Sequence, residues 1–166
     1  MNGITVRCTH FLFFNLFLQL SLDELGTQFF AQDDFHEALK CFGEAKKIRV
    51  NYLGACHPNV AMVLNNVACC NFQLGNHVAA VVTLNEARDI QKSFVGSPAK
   101  ADLDLLHVAT TLCNIGYMQI RLKQYDVARC IFEEALLIQQ SVYGDNNNKA
   151  IKDTLSNMEF TNAFHS

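Results

Sequence analysis

Gly54-Ala55-Cys56-His57-Pro58-Asn59-Val60-Ala61, followed closely by Leu64-Asn65-Asn66-Val67-Ala68, is the stretch from which the fold can be read. Glycine ends a helix because it enters the left-handed region without a Cβ penalty, and proline opens one because its fixed φ suits the first turn. On either side of this Gly-to-Pro turn, apolar and small residues return at helical spacing. The stretch reads as the seam between two copies of one unit.

Working outward, the copies align. From the small residue Ala45, Ile48 lies three residues on, Tyr52 seven and Gly54 nine; from Ala87 the same steps reach Ile90, Phe94 and Gly96, and from Ala135 they reach Ile138, Val142 and Gly144. Seven residues before the anchors stand Ala38, Ala80 and Ala128, and three before them Phe42, Leu84 and Phe132. Nineteen residues before them stand Gly26, Ala68 and Gly116, each after an aliphatic residue, Leu25, Val67 or Ile115. This pattern predicts a pair of antiparallel helices per unit. Small residues at Gly26 and Ala38, or Gly116 and Ala128, let the two backbones approach where bulk would hold them apart.

Turn chemistry marks the boundaries. Asp34 is placed to cap the helix that follows, with Glu37 answering as in a capping box. In the second unit Gly75 ends one helix and Asn76 caps the next, and between units Gly54 and Pro58, then Gly96 and Pro98, repeat this logic, with Ser97 placed as an N-cap. The period is 42 residues from Ala45 to Ala87 and 48 from Ala87 to Ala135, the six extra residues falling between Gly96 and Gly116. Good helix formers from Pro98 to Leu106 predict an early start to the fifth helix, with a loop over 97–100 as the alternative. The repeats are therefore expected at 19–54, 57–96 and 98–145. Ile151, Leu155, Asn157 and Met158 then repeat Val60, Leu64, Asn66 and Val67 at a constant offset of 91, which predicts a capping helix over 146–163. Glu159 stands there at the position of the small residues, so nothing is expected to pack closely on that face, as the end of a solenoid requires.

Composition agrees with an all-α domain. Half of the 166 residues are apolar, 17% are charged, and only two prolines punctuate the chain. A net charge of −3 with scattered Lys and Arg offers no patch for phosphates, so nucleic acid is not an expected partner. The seven cysteines, at 8, 41, 56, 69, 70, 113 and 130, form an odd set without paired short spacing. They suggest neither a disulfide framework nor a zinc site, but reduced thiols in a cytoplasmic core. No cofactor is called for. Residues 1–18 form an apolar N-terminal segment with the run Phe11 to Leu18. It reads as an irregular cap on the first repeat, a remnant of a longer parent protein, or a signal peptide. Against a signal peptide stand Asn15 and the lack of a small-x-small cleavage site, and the run is too short to span a bilayer, so no membrane is expected as a partner.

Leu25-Gly26 with Phe29, then Ala38, Phe42 and Ala45, resembles the tetratricopeptide repeat, and the other units match with substitutions, Asn71 and Gln119 replacing the aromatic that Phe29 keeps. The 42-residue spacing and the seam Gly54-x-x-His57-Pro58-x-Val60-Ala61-x-x-Leu64-Asn65-Asn66-Val67-Ala68 are more specifically similar to the repeats of kinesin light chains. The resemblance covers about residues 19 to 160. It implies a right-handed α-solenoid of antiparallel helix pairs whose first helices line a concave groove. It implies a noncatalytic scaffold that binds an extended peptide or partner helix there, as kinesin light chains hold cargo-adaptor peptides. The heptad segment that pairs light with heavy chains is absent.

Helical spacing from the small residues assigns the groove to Glu24, Thr27 and Phe30, then Asn65, Asn66, Cys69 and Phe72, then Asn114, Tyr117, Ile120 and Arg121, and finally Asn157. Asn66, Asn114 and Asn157 are expected to form an amide ladder, able to hold a peptide backbone because each amide both donates and accepts. The alternative use of such amides is to bridge adjacent helices or bond local backbone. With Arg121 the lone cation of the set, an acidic tail lacks its countercharges. A second functional reading is a structural segment of a larger repeat array, acting by stacking or by self-association through the apolar N-terminus. For catalysis the tempting pair is Cys56-His57, but neighbours on a turn rarely face one another, and His57 is better explained by the turn itself.

Overall fold

The computed structural model describes residues 21–94, 101–144 and 148–164. These form a helix over 21–31 (α1), then α2 (Phe35–Leu53), α3 (Pro58–Gln73), α4 (His77–Phe94), α5 (Ala101–Arg121), α6 (Tyr125–Tyr143) and α7 (Lys149–Asn162). The apolar segment 1–18 and the Ser97-Pro98 turn lie outside the described residues. Consecutive helices pack as antiparallel neighbours, and α3 also touches α5, as α5 touches α7. The odd helices thus form the closely spaced layer, which in a curved stack is the inner one. The even layer is bridged by long side chains, in the ion pairs Lys46–Glu86 and Lys92–Glu134.

The small residues do what their spacing suggests, and the contact has a definite partner. A Cβ built on Gly26 would lie 2.7 Å from the Phe42 ring, and one on Gly116 would lie 2.7 Å from the Phe132 ring. Both rings are almost fully buried. In the second unit the pair is Ala68 with Leu84, both buried in one apolar cluster. The smaller aliphatic side chain leaves room for the methyl that a phenyl ring excludes.

The turns within the pairs repeat at backbone level. In each, an N–H closes back onto the preceding helix: Asp34 onto the Phe29 carbonyl (2.9 Å), Asn76 onto Asn71 (2.8 Å) and Gln124 onto Gln119 (2.9 Å). The residue just before each donor is left-handed, Asp33 at φ 59°, Gly75 at 81° and Lys123 at 61°. This is the Schellman closure, which satisfies the last carbonyls of the helix. The capping box expected at Asp34 is only half formed. The Asp34 carboxylate accepts from the Glu37 N–H (3.3 Å), but Glu37 turns its own carboxylate to Lys40, because the Asp34 N–H is already taken by Phe29.

At the seam between units, Gly54 donates its N–H to Val50 and ends α2, and Pro58 occupies the first turn of α3. His57 is the N-cap: its Nδ1 accepts from the Asn59 N–H at 3.1 Å.

Candidate binding groove

Among the described residues, cavities open along the inner layer, and most of the groove residues expected from the sequence fall on them. Between α1 and α3, Thr27, Phe30, Asn66 and Cys69 line a mainly apolar cavity of ≈130 Å³, with Phe42 at its back. Between α5 and α7, Asn114 and Asn157 share a cavity of ≈210 Å³ with polar neighbours. Ile120 and Arg121 line a third, of ≈270 Å³, with His77, Lys123, Tyr125 and Phe160. Glu24 and Tyr117 are exposed on the same layer.

Two of the expected residues are used otherwise. Phe72 is in the core, packed with Ala68, Ala80, Leu84, Ile115 and Met118, and the rings of His77 (4.6 Å) and Tyr117 (6.4 Å) lie beside it. Asn65 is spent inside the protein: its Nδ2 donates to the Ala61 carbonyl (3.1 Å) and to Thr111 Oγ1 (2.9 Å), and its Oδ1 accepts from Asn114 Nδ2 (3.2 Å). The expected ladder is therefore broken at its middle rung, because Asn114 is drawn to Asn65 across the repeat boundary. Asn66 and Asn157 keep their amides free of protein hydrogen bonds among the described residues.

The Asn65 bonds belong to a set that recurs along the stack. Four residues after the anchors Ala45, Ala87 and Ala135 stand Arg49, Gln91 and Gln139, all buried. Twenty-two residues before the same anchors stand Asp23, Asn65 and Cys113. At the first position Arg49 ion-pairs with Asp23. At the second, Thr111 Oγ1 accepts from Asn65 and lies 2.8 Å from Gln91 Oε1. At the third, Gln139 Nε2 donates to Cys113 Sγ (3.8 Å), which lies 3.4 Å from Thr154 Oγ1. Thr111 and Thr154 occupy the position that Val63 fills in α3. With no hydroxyl arriving from Val63, the first position closes on a charge pair within its own repeat instead. The sequence signal was present as a polar residue in register on an otherwise apolar face, at Arg49, Gln91 and Gln139.

The thiols on this layer are held protonated. Burial pushes Cys69 up from the ordinary thiol value, and pushes Cys70, with a smaller contribution from Cys69, up to about 11. Cys56 and Cys130 are exposed.

Two family models, both described as tetratricopeptide repeat, match residues 18–93 and 108–148, together more than half of the sequence. The chain belongs to the tetratricopeptide-repeat family, and its repeats are similar to those of kinesin-light-chain-like proteins. No curated protein matches it. Among solved structures, BtubC (BKLC) from P. vanneervenii superposes with a TM-score of 0.74 at 19% identity, over 86% of this chain and 54% of that one. A Podospora anserina protein, described as a kinesin light chain with nearly identical TPR-like repeats, gives 0.70 at 15% identity, over 85% of this chain and 64% of that one. The first TPR of Spaghetti (RPAP3), bound to the HSP90 peptide SRMEEVD, gives 0.60 at 19% identity, over 89% and 94%. At these identities the likeness is one of fold, and the chain spans little more than half the length of BtubC.

Proposed function

We propose that this chain is a noncatalytic interaction scaffold whose inner helical layer binds an extended peptide or partner helix of another protein, in the manner of kinesin-light-chain cargo-binding repeats. The observation that carries the reading is the cavity between α1 and α3. It has the size for one apolar side chain, its wall is formed by Phe30 and Cys69, and Asn66 stands at it with an amide that no described residue uses. An apolar pocket flanked by an uncommitted donor and acceptor is what an extended peptide needs, a place for a side chain and a hold on the backbone beside it. The neighbour with SRMEEVD shows that a stack of this architecture can hold a peptide. Such an acidic ligand is a poor match at the cavities between α1 and α3 and between α5 and α7, because no described cation lines either and Asp153 lines the second.

Isothermal titration of the chain against a synthetic peptide pool tests this. Asn66→Ala and Phe30→Ala are each expected to weaken the selected peptides about tenfold, the loss of one good contact. Unchanged affinity in both variants would overturn the assignment of the groove.

A further inference from the structure

We propose that the cavity between α5 and α7 takes a basic side chain, the ammonium of a lysine or the guanidinium of an arginine. The inference rests on the groove reading above and names one residue class its peptide carries. The cavity, ≈210 Å³, sets the polar side chains of Thr110, Asn114, Gln139, Asp153 and Asn157 among apolar wall. Its donors are largely spent inward: the Thr110 hydroxyl donates to the Leu106 carbonyl (2.9 Å) and the Thr154 hydroxyl to the Ala150 carbonyl (3.0 Å). Gln139 commits an amide proton to Cys113, and Asn114 commits one to Asn65. The free Asn157 amide still offers both donors and an acceptor, and the one charged group among the lining residues is the Asp153 carboxylate, at the rim and without an ion-pair partner among the described residues.

Gln139 adds acceptor capacity that is unmet. It is 4% exposed, and its Oε1 is buried with no hydrogen-bond partner among the described residues. One repeat earlier Gln91 holds the same place, and its carbonyl is met by Thr111 at 2.8 Å. The equivalent hydroxyl at the third position, that of Thr154, lies against Ala150 and the Cys113 sulfur (3.4 Å) instead. A buried carbonyl without a donor is costly, so a ligand that brings donors to it is favoured. An anion would face lone pairs and a carboxylate, and an apolar group would leave Gln139 unmet. A divalent cation draws several carboxylates, and here there is one. A lysine brings three donors and an arginine five, with a single charge to match Asp153. The negative field reaches the cavity wall: burial foremost, and more weakly the Asp153 charge, raise the Cys113 thiol against the opposing hydrogen bonds from Thr154 and Gln139.

The test is an NMR titration of the 15N-labelled full chain with N-acetyl-arginine N-methylamide, its lysine counterpart and its neutral citrulline counterpart. The expected result is saturable amide shifts centred on Thr110, Cys113, Asp153 and Thr154, at least tenfold tighter for arginine and lysine than for citrulline, and lost in Asp153→Lys. Equal binding of citrulline, shifts elsewhere, no shift, or binding retained in Asp153→Lys would overturn the proposal. The groove reading is separable. If the peptide pool binds through Asn66 with no preference for lysine or arginine, the groove stands and this site falls. If the arginine probe binds here while no peptide in the pool does, the site stands and the groove falls.

Discussion

At Gly26 and Gly116 only a hydrogen fits between a helix backbone and a phenyl ring, and Ala68 with Leu84 shows the compensated version of the same contact. Gly116→Ala should therefore cost about 1–3 kcal/mol by overpacking. Adding Phe132→Leu should recover most of that loss, so the pair shows strong coupling in a double-mutant cycle read by urea unfolding. A second residue-scale prediction concerns Lys123, left-handed at φ 61° where the second unit has Gly75. An L-residue held there costs about 1–2 kcal/mol, and glycine's greater freedom in the unfolded chain offsets about 0.5–1 of it. Lys123→Gly should raise stability by about 0.5–1 kcal/mol, while Lys123→Ala should gain nothing. The small residues were legible in the sequence because their spacing is fixed by the helix. The left-handed turns at Asp33 and Lys123 were not, because lysine does not favour that conformation, aspartate favours it only weakly, and the closure is made by backbone groups.

Among the helices, what could be read were the amphipathic faces, the glycine stops and the Pro58 start, since each follows from the conformational preference of a residue type. What could not be read was how the amides divide between ligand and protein. Asn65 and Asn66 are adjacent on α3, yet helical rotation points one at Thr111 and leaves the other at a cavity. Only the position of the neighbouring helix decides which is which. The same burial shapes the response of the helices to alkali. The folded Cys70 thiol is pushed up to about 11 from an ordinary 9.0. Between those values the folded chain keeps a proton that the unfolded chain has lost, so raising the pH favours unfolding. Urea midpoints should fall as the pH climbs from about 9 toward 11, and Cys70→Ala should flatten that slope. At pH 8, iodoacetamide should modify the exposed Cys56 and Cys130 well before Cys69 and Cys70, with peptide mass spectrometry as the readout.

At the scale of the molecule, the stack is asymmetric between its two layers. The odd helices touch one another directly and carry the cavities at Asn66, at Asn157 and at Arg121, while the even helices are spanned by long ionic side chains. Along the inner layer the charge also changes, from Asp153 in the cavity between α5 and α7 to Arg121 and Lys123 at the end of α5. The repeat made this layering visible in the sequence, since a residue's offset from its anchor assigns it to the first or second helix. The buried crosslinks at Arg49, Gln91 and Gln139 became apparent only when the repeats were stacked. The central claim is that the inner layer is the ligand-binding surface. It is tested most directly by mapping amide shifts on the 15N-labelled chain when the tightest peptide of the pool is added. Perturbations should run along α1, α3, α5 and α7, strongest at Phe30, Asn66 and Asn157. Perturbations confined to the outer faces of α2, α4 and α6 would contradict it.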